Sequence, residues 1–165
     1  MRKADSLRRW LTAFLPDLRK EADRLQVYLE GGRISARRSA TLSFAYAYTV
    51  KALITDFAGD PDTVMVAALA WIEKEQPQLL QTADNTPFQF EAELLDSDTY
   101  DLQLSIELTE PVLVLPRADG SGFDIEHPPE PTVPPMFTQG TATFLQGFGN
   151  ADKGVQSPTL GSPEA

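Results

Sequence analysis

The sequence predicts an α+β fold in which a mostly antiparallel sheet carries two main helices on one face, followed by an extended C-terminal arm. Two stretches repeat apolar residues at helical spacing, which is typical of helices buried along one side. Other long stretches alternate apolar and polar residues, as half-buried strands do. From residue 116 onward the 165-residue chain is rich in proline and glycine. We therefore predict an α+β domain at residues 1–115 and a partly disordered Pro/Gly-rich arm at residues 116–165.

The first predicted helix lies near the N-terminus. Asp5 or Ser6 is expected to cap it, because short polar side chains accept hydrogen bonds from the amides of the first turn. Pro16 predicts a break or a second short helical turn. The apolar stripe expected to face the sheet consists of Leu7, Trp10, Leu11, Phe14, Leu15 and Leu18.

Two strands are predicted next. The segment "LQVYLEGGRIS" indicates a short strand that ends in a turn at Gly31 and Gly32, because glycine adopts positive φ without steric cost. Every second residue from Leu42 to Ile54 is apolar or aromatic, which predicts a long strand with a bend or bulge midway. The other face of this strand is small and mostly polar, and it is suited to packing against a partner surface.

Three aspartates before the second helix raise the question of a carboxylate site. A structural role accounts for two of them, because Asp60 is predicted to be the N-cap, Pro61 the first helical residue, and Asp62 a favourable charge at the positive end of the helix dipole. A calcium loop starting at Asp56 is the alternative, but its pattern fails at the third and sixth positions. The buried stripe of this helix is predicted to be Val64, Ala67, Ala68, Trp71 and Ile72.

A hairpin over residues 88–108 has the most regular alternation in the chain. Its apolar residues, from Phe88 to Leu94 and from Tyr100 to Leu108, predict one shared buried face. The outer face is acidic; solvation is the plain interpretation, and a surface that repels a polyanion is the alternative. The segment "PVLVLPRADGSGFDIE" then predicts one more strand and a Gly-rich turn.

Residue composition excludes several kinds of site. The chain has no cysteine, which excludes disulfides, thiolate metal sites and cysteine nucleophiles. Its single histidine, His127, lies in a proline-rich segment and is expected to be a solvated loop residue. No Walker-type phosphate loop, nucleophile elbow or zinc-protease motif occurs. We predict that the protein is not an enzyme, takes no cofactor, and has no catalytic, cofactor-binding or metal-binding residues.

Charge is distributed unevenly along the chain, whose formal net charge is −10. The first 40 residues hold ten Lys and Arg against five Asp and Glu, whereas the remainder holds four against nineteen. An acidic body disfavours specific binding of nucleic acid, and the basic start is suited to an acidic partner or a neighbouring copy. No apolar run approaches the length of a membrane span, so we expect a soluble protein without membrane association, made in the cytoplasm.

Four segments, taken in order, resemble a known family. They are "DSLRRWL", "LSFAYAYTVKALITDFAGDPDTVMVAALAWIEKEQP", "DLQLSIELTE" and "PPEPTVPP". They are similar to the tail completion protein R (GpR) family of Peduovirus-like phages with contractile tails, over about residues 1–135. Residues 136–165 depart from the family pattern.

This resemblance implies a non-enzymatic virion protein that completes the tail at its head-proximal end. The implied assembly is a hexameric tail terminator ring that joins tube and sheath proteins to the neck and is put together in the host cytoplasm. A neck or head-completion adaptor between portal and tail is one alternative. A non-virion tail assembly chaperone is another, from a different functional class.

A ring of this kind gives three groups of residues an expected role. DNA would cross the channel without specific binding, and the channel-facing carboxylates are predicted to be Glu91, Glu93, Asp101 and Glu107. The basic residues predicted at the subunit interface, opposite acidic surface on the next copy, are Arg8, Arg9, Arg37 and Arg38. The apolar residues predicted to dock the arm on a neighbour are Phe137, Phe144, Leu145 and Phe148.

Overall fold

A computed structural model describes residues 1–37, 39–81, 83–96 and 98–130. These residues form helices α1 (Arg2–Phe14), α2 (Pro16–Lys20) and α3 (Pro61–Glu75), and short 3₁₀ turns at Ala22–Arg24 and Pro77–Gln81. The strands are β1 (Leu25–Ala36), β2 (Phe44–Phe57), β3 (Gln89–Asp96), β4 (Thr99–Pro116) and β5 (Phe123–Glu126). Within these ranges, no helix combines the length and the apolar character needed to cross a membrane.

The strands form an antiparallel sheet in the order β1-β2-β4-β3, with β5 pairing the last residues of β4. Helices α1 and α3 pack on one face of this sheet, where the large buried side chains of both layers meet. The prediction of an α+β fold with a mostly antiparallel sheet is therefore confirmed. The last predicted strand and its Gly-rich turn are also confirmed, since β5 follows positive-φ residues Gly120 and Gly122.

Helix α3 matches its prediction in detail. Asp60 is the N-cap, its Oδ1 accepts a hydrogen bond from the Asp62 amide at 2.9 Å, and Pro61 is the first helical residue. The five residues predicted to form its stripe are the five that are buried. Asp56 lies outside the helix, and its amide donates to Asp101 Oδ1 at 2.9 Å. These contacts support the structural role of the aspartates over a calcium loop.

Helix α1 begins earlier than predicted. It starts at Arg2, its N-cap position is Met1, and no side chain of that position bonds the first turn, so the predicted cap at Asp5 or Ser6 is wrong. The reason is tertiary, because a carboxylate from β4 meets the first amides of the helix. The predicted second turn after Pro16 is confirmed by α2.

The predicted turn at Gly31 and Gly32 is also wrong. Strand β1 runs through both glycines, and its register with β2 shifts between Glu30 and Gly32, so Gly31, at φ +70°, forms a bulge rather than a turn. A Cβ added to Gly32 would lie 3.0 Å from Tyr48 Cβ, so β2 approaches this backbone closely. The hairpin therefore turns after Ala36, and its two strands are long.

Strand β2 is long, as predicted, but its own irregularity is not in the middle. Its register with β4 shifts between Ile54 and Phe57, where Asp56 has φ 52°. The midway bulge lies in the partner strand β1 instead. Gly59 follows closely, and a Cβ there would come within 2.7 Å of the Phe57 ring, so this turn before α3 requires glycine.

Strand β3 departs from its predicted burial. Phe90, Ala92 and Leu94 pair with residues of β4 whose side chains face the helices, yet they are exposed, with Phe90 and Leu94 each at 59%. On β4 the prediction is confirmed, because Leu102 and the residues alternating with it are buried. The physical reason is that β3 is an edge strand and lies beyond the helical layer, which covers β2, β4 and the start of β1.

Candidate interaction surfaces

A buried carboxylate anchors the start of helix α1. Glu110 on β4 is only 3% exposed and accepts hydrogen bonds from the amides of Arg2 and Lys3, each at 3.0 Å. The Tyr48 hydroxyl of β2 donates a further hydrogen bond to it. A helix N-terminus favours negative charge because its first amides have no partner within the helix. Glu110 therefore caps α1 from a strand 107 residues away in sequence.

The hydrogen bonds around Glu110 keep it ionised despite its burial. Burial by itself raises the pKa of Glu110, but the bonds from Tyr48, Lys3 and Arg2 together outweigh it, so the pKa lies below its usual value. Burial raises the pKa of Tyr48, and the neighbouring Glu110 carboxylate raises it further. The pair is therefore a neutral phenol that donates to a carboxylate.

Lys3 extends this polar cluster to the C-terminal side of the domain. Its buried ammonium donates to Gln76 Oε1, to the Thr109 carbonyl at 2.8 Å and to Glu130 Oε1 at 2.6 Å. Glu130 also accepts from Gln78 Nε2 at 3.1 Å. One side chain thus ties together α1, the end of α3, strand β4 and residue 130.

The sequence contains a signal for the burial of Glu110 but none for its association with Lys3 and Glu130. The apolar alternation of β4 continues from Leu102 to Val114, and Glu110 is the charged residue in the phase that faces the helices. A carboxylate in that phase must have buried partners, because an uncompensated buried charge is costly. No local pattern indicates that Lys3 and Glu130 are its neighbours.

A groove of about 280 Å³ adjoins the buried cluster. Its walls include Arg2 and Arg9 of α1, Glu75 of α3, and His127 with the prolines that follow it. His127 is half-buried rather than fully solvated. Among the described residues, no group of three or more His, Asp or Glu has the geometry to hold a metal ion. The wall of the groove therefore combines charges of both signs with prolines.

The predicted outer-face carboxylates lie on the sheet face opposite the helices. Glu93 pairs with Asp101 across β3 and β4, and Glu107 pairs with Thr49 of β2. Glu91 accepts a long hydrogen bond of 3.4 Å from Gln103 Nε2. Their position away from the core agrees with the predicted alternation, and their position in a channel stays a prediction.

The predicted interface arginines are spread over the molecule. Arg8 donates to the Val27 carbonyl at 3.0 Å, Arg9 lines the groove, and Arg37 is exposed just after β1. Arg38 lies outside the described residues. The first two are on α1 and the third is at the far end of the sheet, so they do not form one cluster.

The predicted docking residues of the arm, Phe137, Phe144, Leu145 and Phe148, lie outside the described residues. The part of the predicted arm that is described contacts the domain, because β5 pairs with β4 and Glu130 bonds Lys3. The domain boundary at residue 116 stays a prediction.

Sequence reasoning missed an apolar surface at the far end of the sheet. Beyond the row of Tyr48, the start of α1 covers Glu110, and the helix side of the sheet then continues past the helix with half-buried and exposed apolar side chains at its margin. Phe44 and Tyr46 meet edge to face there, with ring centroids 5.0 Å apart. We call this surface the apolar shelf, formed by Ile34, Phe44, Tyr46, Phe123 and Ile125; Ile34 is 64% and Ile125 66% exposed. The sequence signal for this shelf is the alternation of apolar and polar residues, which continues along the strands beyond the part of the sheet that the helices cover.

Comparison with known proteins gives a consistent result. The model of the family described as P2 phage tail completion protein R (GpR) matches residues 1–131. The chain is 36% identical over 142 residues to the tail completion protein R of Escherichia phage P2. The aligned region covers 82% of this chain and 91% of that protein. No solved structure matches the chain significantly.

Proposed function

The chain belongs to the P2 phage tail completion protein R family, a structural component of phage tails, and from that premise we propose a specific place and form for it. In this proposal it is a non-enzymatic terminator that closes the head-proximal end of a contractile tail. Six copies form a ring that contacts tube and sheath proteins on one side and neck proteins on the other. The ring is assembled in the host cytoplasm and stays in the virion.

The observation that carries this proposal is the one-sided covering of the sheet. Helices α1 and α3 cover one face, and the opposite face carries four carboxylates, Glu91, Glu93, Asp101 and Glu107. Repeated around a ring, this acidic face makes a collar that repels phosphate and lets DNA pass without binding, whereas a basic lining would hold the genome through released counterions. Like charges gathered in one place oppose assembly, and passage of DNA is the use that offsets this cost.

Glu107 is the best residue for testing the channel. Asp101 accepts a backbone hydrogen bond, and Glu91 and Glu93 lie at the sheet edge, whereas Glu107 is exposed in the middle of β4. Particles with Glu107→Lys are expected to assemble and to eject DNA more slowly, with a weaker effect for Glu107→Gln. The matched control is Asp23→Lys, at an exposed carboxylate of the 3₁₀ turn Ala22–Arg24. Ejection from Glu107→Lys particles at the wild-type rate would place this face outside the channel.

Copy number in purified virions tests the ring. Quantitative mass spectrometry against the tube and sheath proteins is expected to give six copies per tail. Absence from virions would identify a chaperone, and cross-links to connector proteins without any to the last tube ring would identify a neck adaptor. The contacts proposed for Arg8, Arg9, Arg37 and Arg38, and for Phe137, Phe144, Leu145 and Phe148 of the arm, are tested by the same cross-linking.

A further inference from the structure

Two different apolar surfaces of the described domain are partly or largely exposed. The apolar shelf lies at one end of the sheet, where β1, β2, β4 and β5 extend past the helices. The other surface, which we call the β3 edge, is formed by Phe90 and Leu94 with the neighbouring Leu95. It lies toward the opposite end of β4, where β3 pairs with residues 99–105. Exposed apolar patches of this kind mark protein contacts.

The β3 edge also offers its backbone. Strand β3 is last in the sheet order, and within the described ranges no strand pairs with its outer side. An edge with unpaired amides and carbonyls favours contact with another chain, and folded proteins cover or blunt it. Among the described side chains of β3, the carboxylates Glu91 and Glu93 are the charges that blunt this edge.

The charges around the two surfaces are opposite. Residues 33–44, which lead from the shelf strand β1 into β2, include Arg33, Arg37 and Arg38 and no acidic residue. Residues 88–101, which contain β3, hold five Asp and Glu and no Lys or Arg. Among the described members of both groups, Arg33, Arg37, Glu91 and Glu93 form no salt bridge with another described residue. The basic tip between β1 and β2 and the β3 edge therefore carry opposite charges. The β5 side of the shelf adds Asp124, which is paired with Arg117, and Glu126.

We propose that the shelf and basic tip of one copy dock on the β3 edge of the next copy, in a head-to-tail contact. This rests on the proposed ring, and it names the surfaces that close it. It assigns Glu91 and Glu93 of edge strand β3 to the contact between copies and leaves Asp101 and Glu107 of β4 to line the channel. A shelf-to-shelf contact would gather arginines, and a β3-to-β3 contact would gather carboxylates, so each self-pairing is repulsive. Only the heterologous contact joins opposite charges and covers both apolar surfaces, and such contacts repeat into rings when the rotation closes.

A charge-swap experiment tests this contact. The tip variant is Arg33→Glu/Arg37→Glu, and the edge variant is Glu91→Arg/Glu93→Arg; each is expected to weaken ring formation roughly tenfold or more. All four residues are exposed, so the melting temperatures should stay at the wild-type value. Lys20→Glu on α2 is the control for an unrelated charge reversal.

Mixing the two variants distinguishes this contact from a symmetric one. Two tip variants cannot be adjacent, because the acidic tip of one would meet the acidic edge of the other. The acidic tip of a tip variant fits the basic edge of an edge variant. The native tip of the edge variant in turn fits the native edge of the tip variant. An equimolar mixture should therefore restore rings in which the two alternate, as read by native mass spectrometry of rings released from tails. One chain carrying all four substitutions should form rings by itself. Failure of both rescues would overturn the proposal.

Site-specific cross-linking gives an independent measurement, because the chain has no native cysteine. A chain with both Ile34→Cys and Leu94→Cys, incorporated into tails, should form a covalent ladder up to the full ring with a short bis-maleimide. Each single variant, and the control pair Ile34→Cys/Lys20→Cys, should not. A wild-type copy number of six with no ladder and no effect of the charge swaps would refute the contact while the ring stands. A copy number incompatible with a ring would refute the proposed function itself.

Discussion

The covered and the uncovered parts of the sheet have the same alternating sequence and opposite environments. Leu102 and Leu104 on β4 are fully buried under α1 and α3, whereas Leu94 and Phe90, their neighbours on β3, are mostly exposed on the same face. The difference teaches that alternation assigns a side chain to a face and does not say whether that face is covered. Coverage depends on where the helices end, which is set by tertiary contacts.

The largest expected effect contrasts the two regions directly. Trp71 of α3 is fully buried, and its indole Nε1 donates to Ser6 Oγ at 3.2 Å. Trp71→Ala should lower the free energy of unfolding by about 3–5 kcal/mol, because it leaves a cavity between helices and sheet. Phe90→Ala should change it by less than about 0.5 kcal/mol. If urea denaturation gave equal losses of unfolding free energy for the two substitutions, the distinction between covered and uncovered parts of the sheet would be wrong.

A smaller effect is expected at the border of the covered region. Glu110→Gln replaces the carboxylate that caps α1 with an amide, and it should cost about 1–3 kcal/mol because the hydrogen bonds lose their charge assistance. Glu107→Gln, three residues away and exposed, should stay within about 0.5 kcal/mol. Denaturant midpoints of the two variants measure the contrast, and an inverted order would contradict the capping role.

Two truncations sharpen the boundary on the C-terminal side. Deleting residues 117–165 removes β5 and the Glu130 partner of Lys3, so it should cost about 1–3 kcal/mol. Deleting only residues 136–165 should leave the melting temperature nearly unchanged while weakening incorporation into tails. Equal particle yield from the shorter truncation would remove residues 136–165 from the docking mechanism, and a large loss of stability would place them in the fold.

The smallest expected effect is a change in the slope of stability with pH. The pKa of Glu110 is lower in the folded protein than in the unfolded chain, so the unfolded chain binds the proton more readily. Its contribution is fully present above the ordinary pKa of a glutamate, about 4.3, and is lost as the pH falls through the folded value. Glu110→Gln should flatten this acid-side slope, and Glu107→Gln should preserve it. Parallel curves of unfolding free energy against pH for wild type and Glu110→Gln would contradict the lowered pKa of Glu110.

Local signals predicted the parts of the fold that depend on local chemistry. The cap at Asp60, the start at Pro61 and the stripe of α3 follow from helical spacing and turn chemistry alone. The two glycines of β1 were ambiguous, because positive φ at Gly31 serves a bulge as well as a turn. Pairing with β2 decided between them.

The candidate surfaces were only partly predictable, because they too depend on contacts between segments that are distant in sequence. The face of the carboxylates follows from alternation, and Glu110 was detectable as a charge in the buried phase of β4. The ion pair between Lys3 and Glu130 joins residues 127 positions apart, and no periodic pattern reports such a distance. The apolar shelf required the position of the helices, which the sequence does not state.

The cap on α1 has a consequence for the order in which a newly made chain acquires its structure. Helix α1 is only 13 residues long, and a helix of that length is marginal in water without packing. Its capping carboxylate is synthesised 107 residues later, so the ribosome releases α1 well before Glu110 exists. The apolar stripe of α1 can pack against β1 and α3 once these have emerged, but its first amides stay uncapped until β4 is made. A product that ends before residue 110 therefore lacks the carboxylate that caps α1.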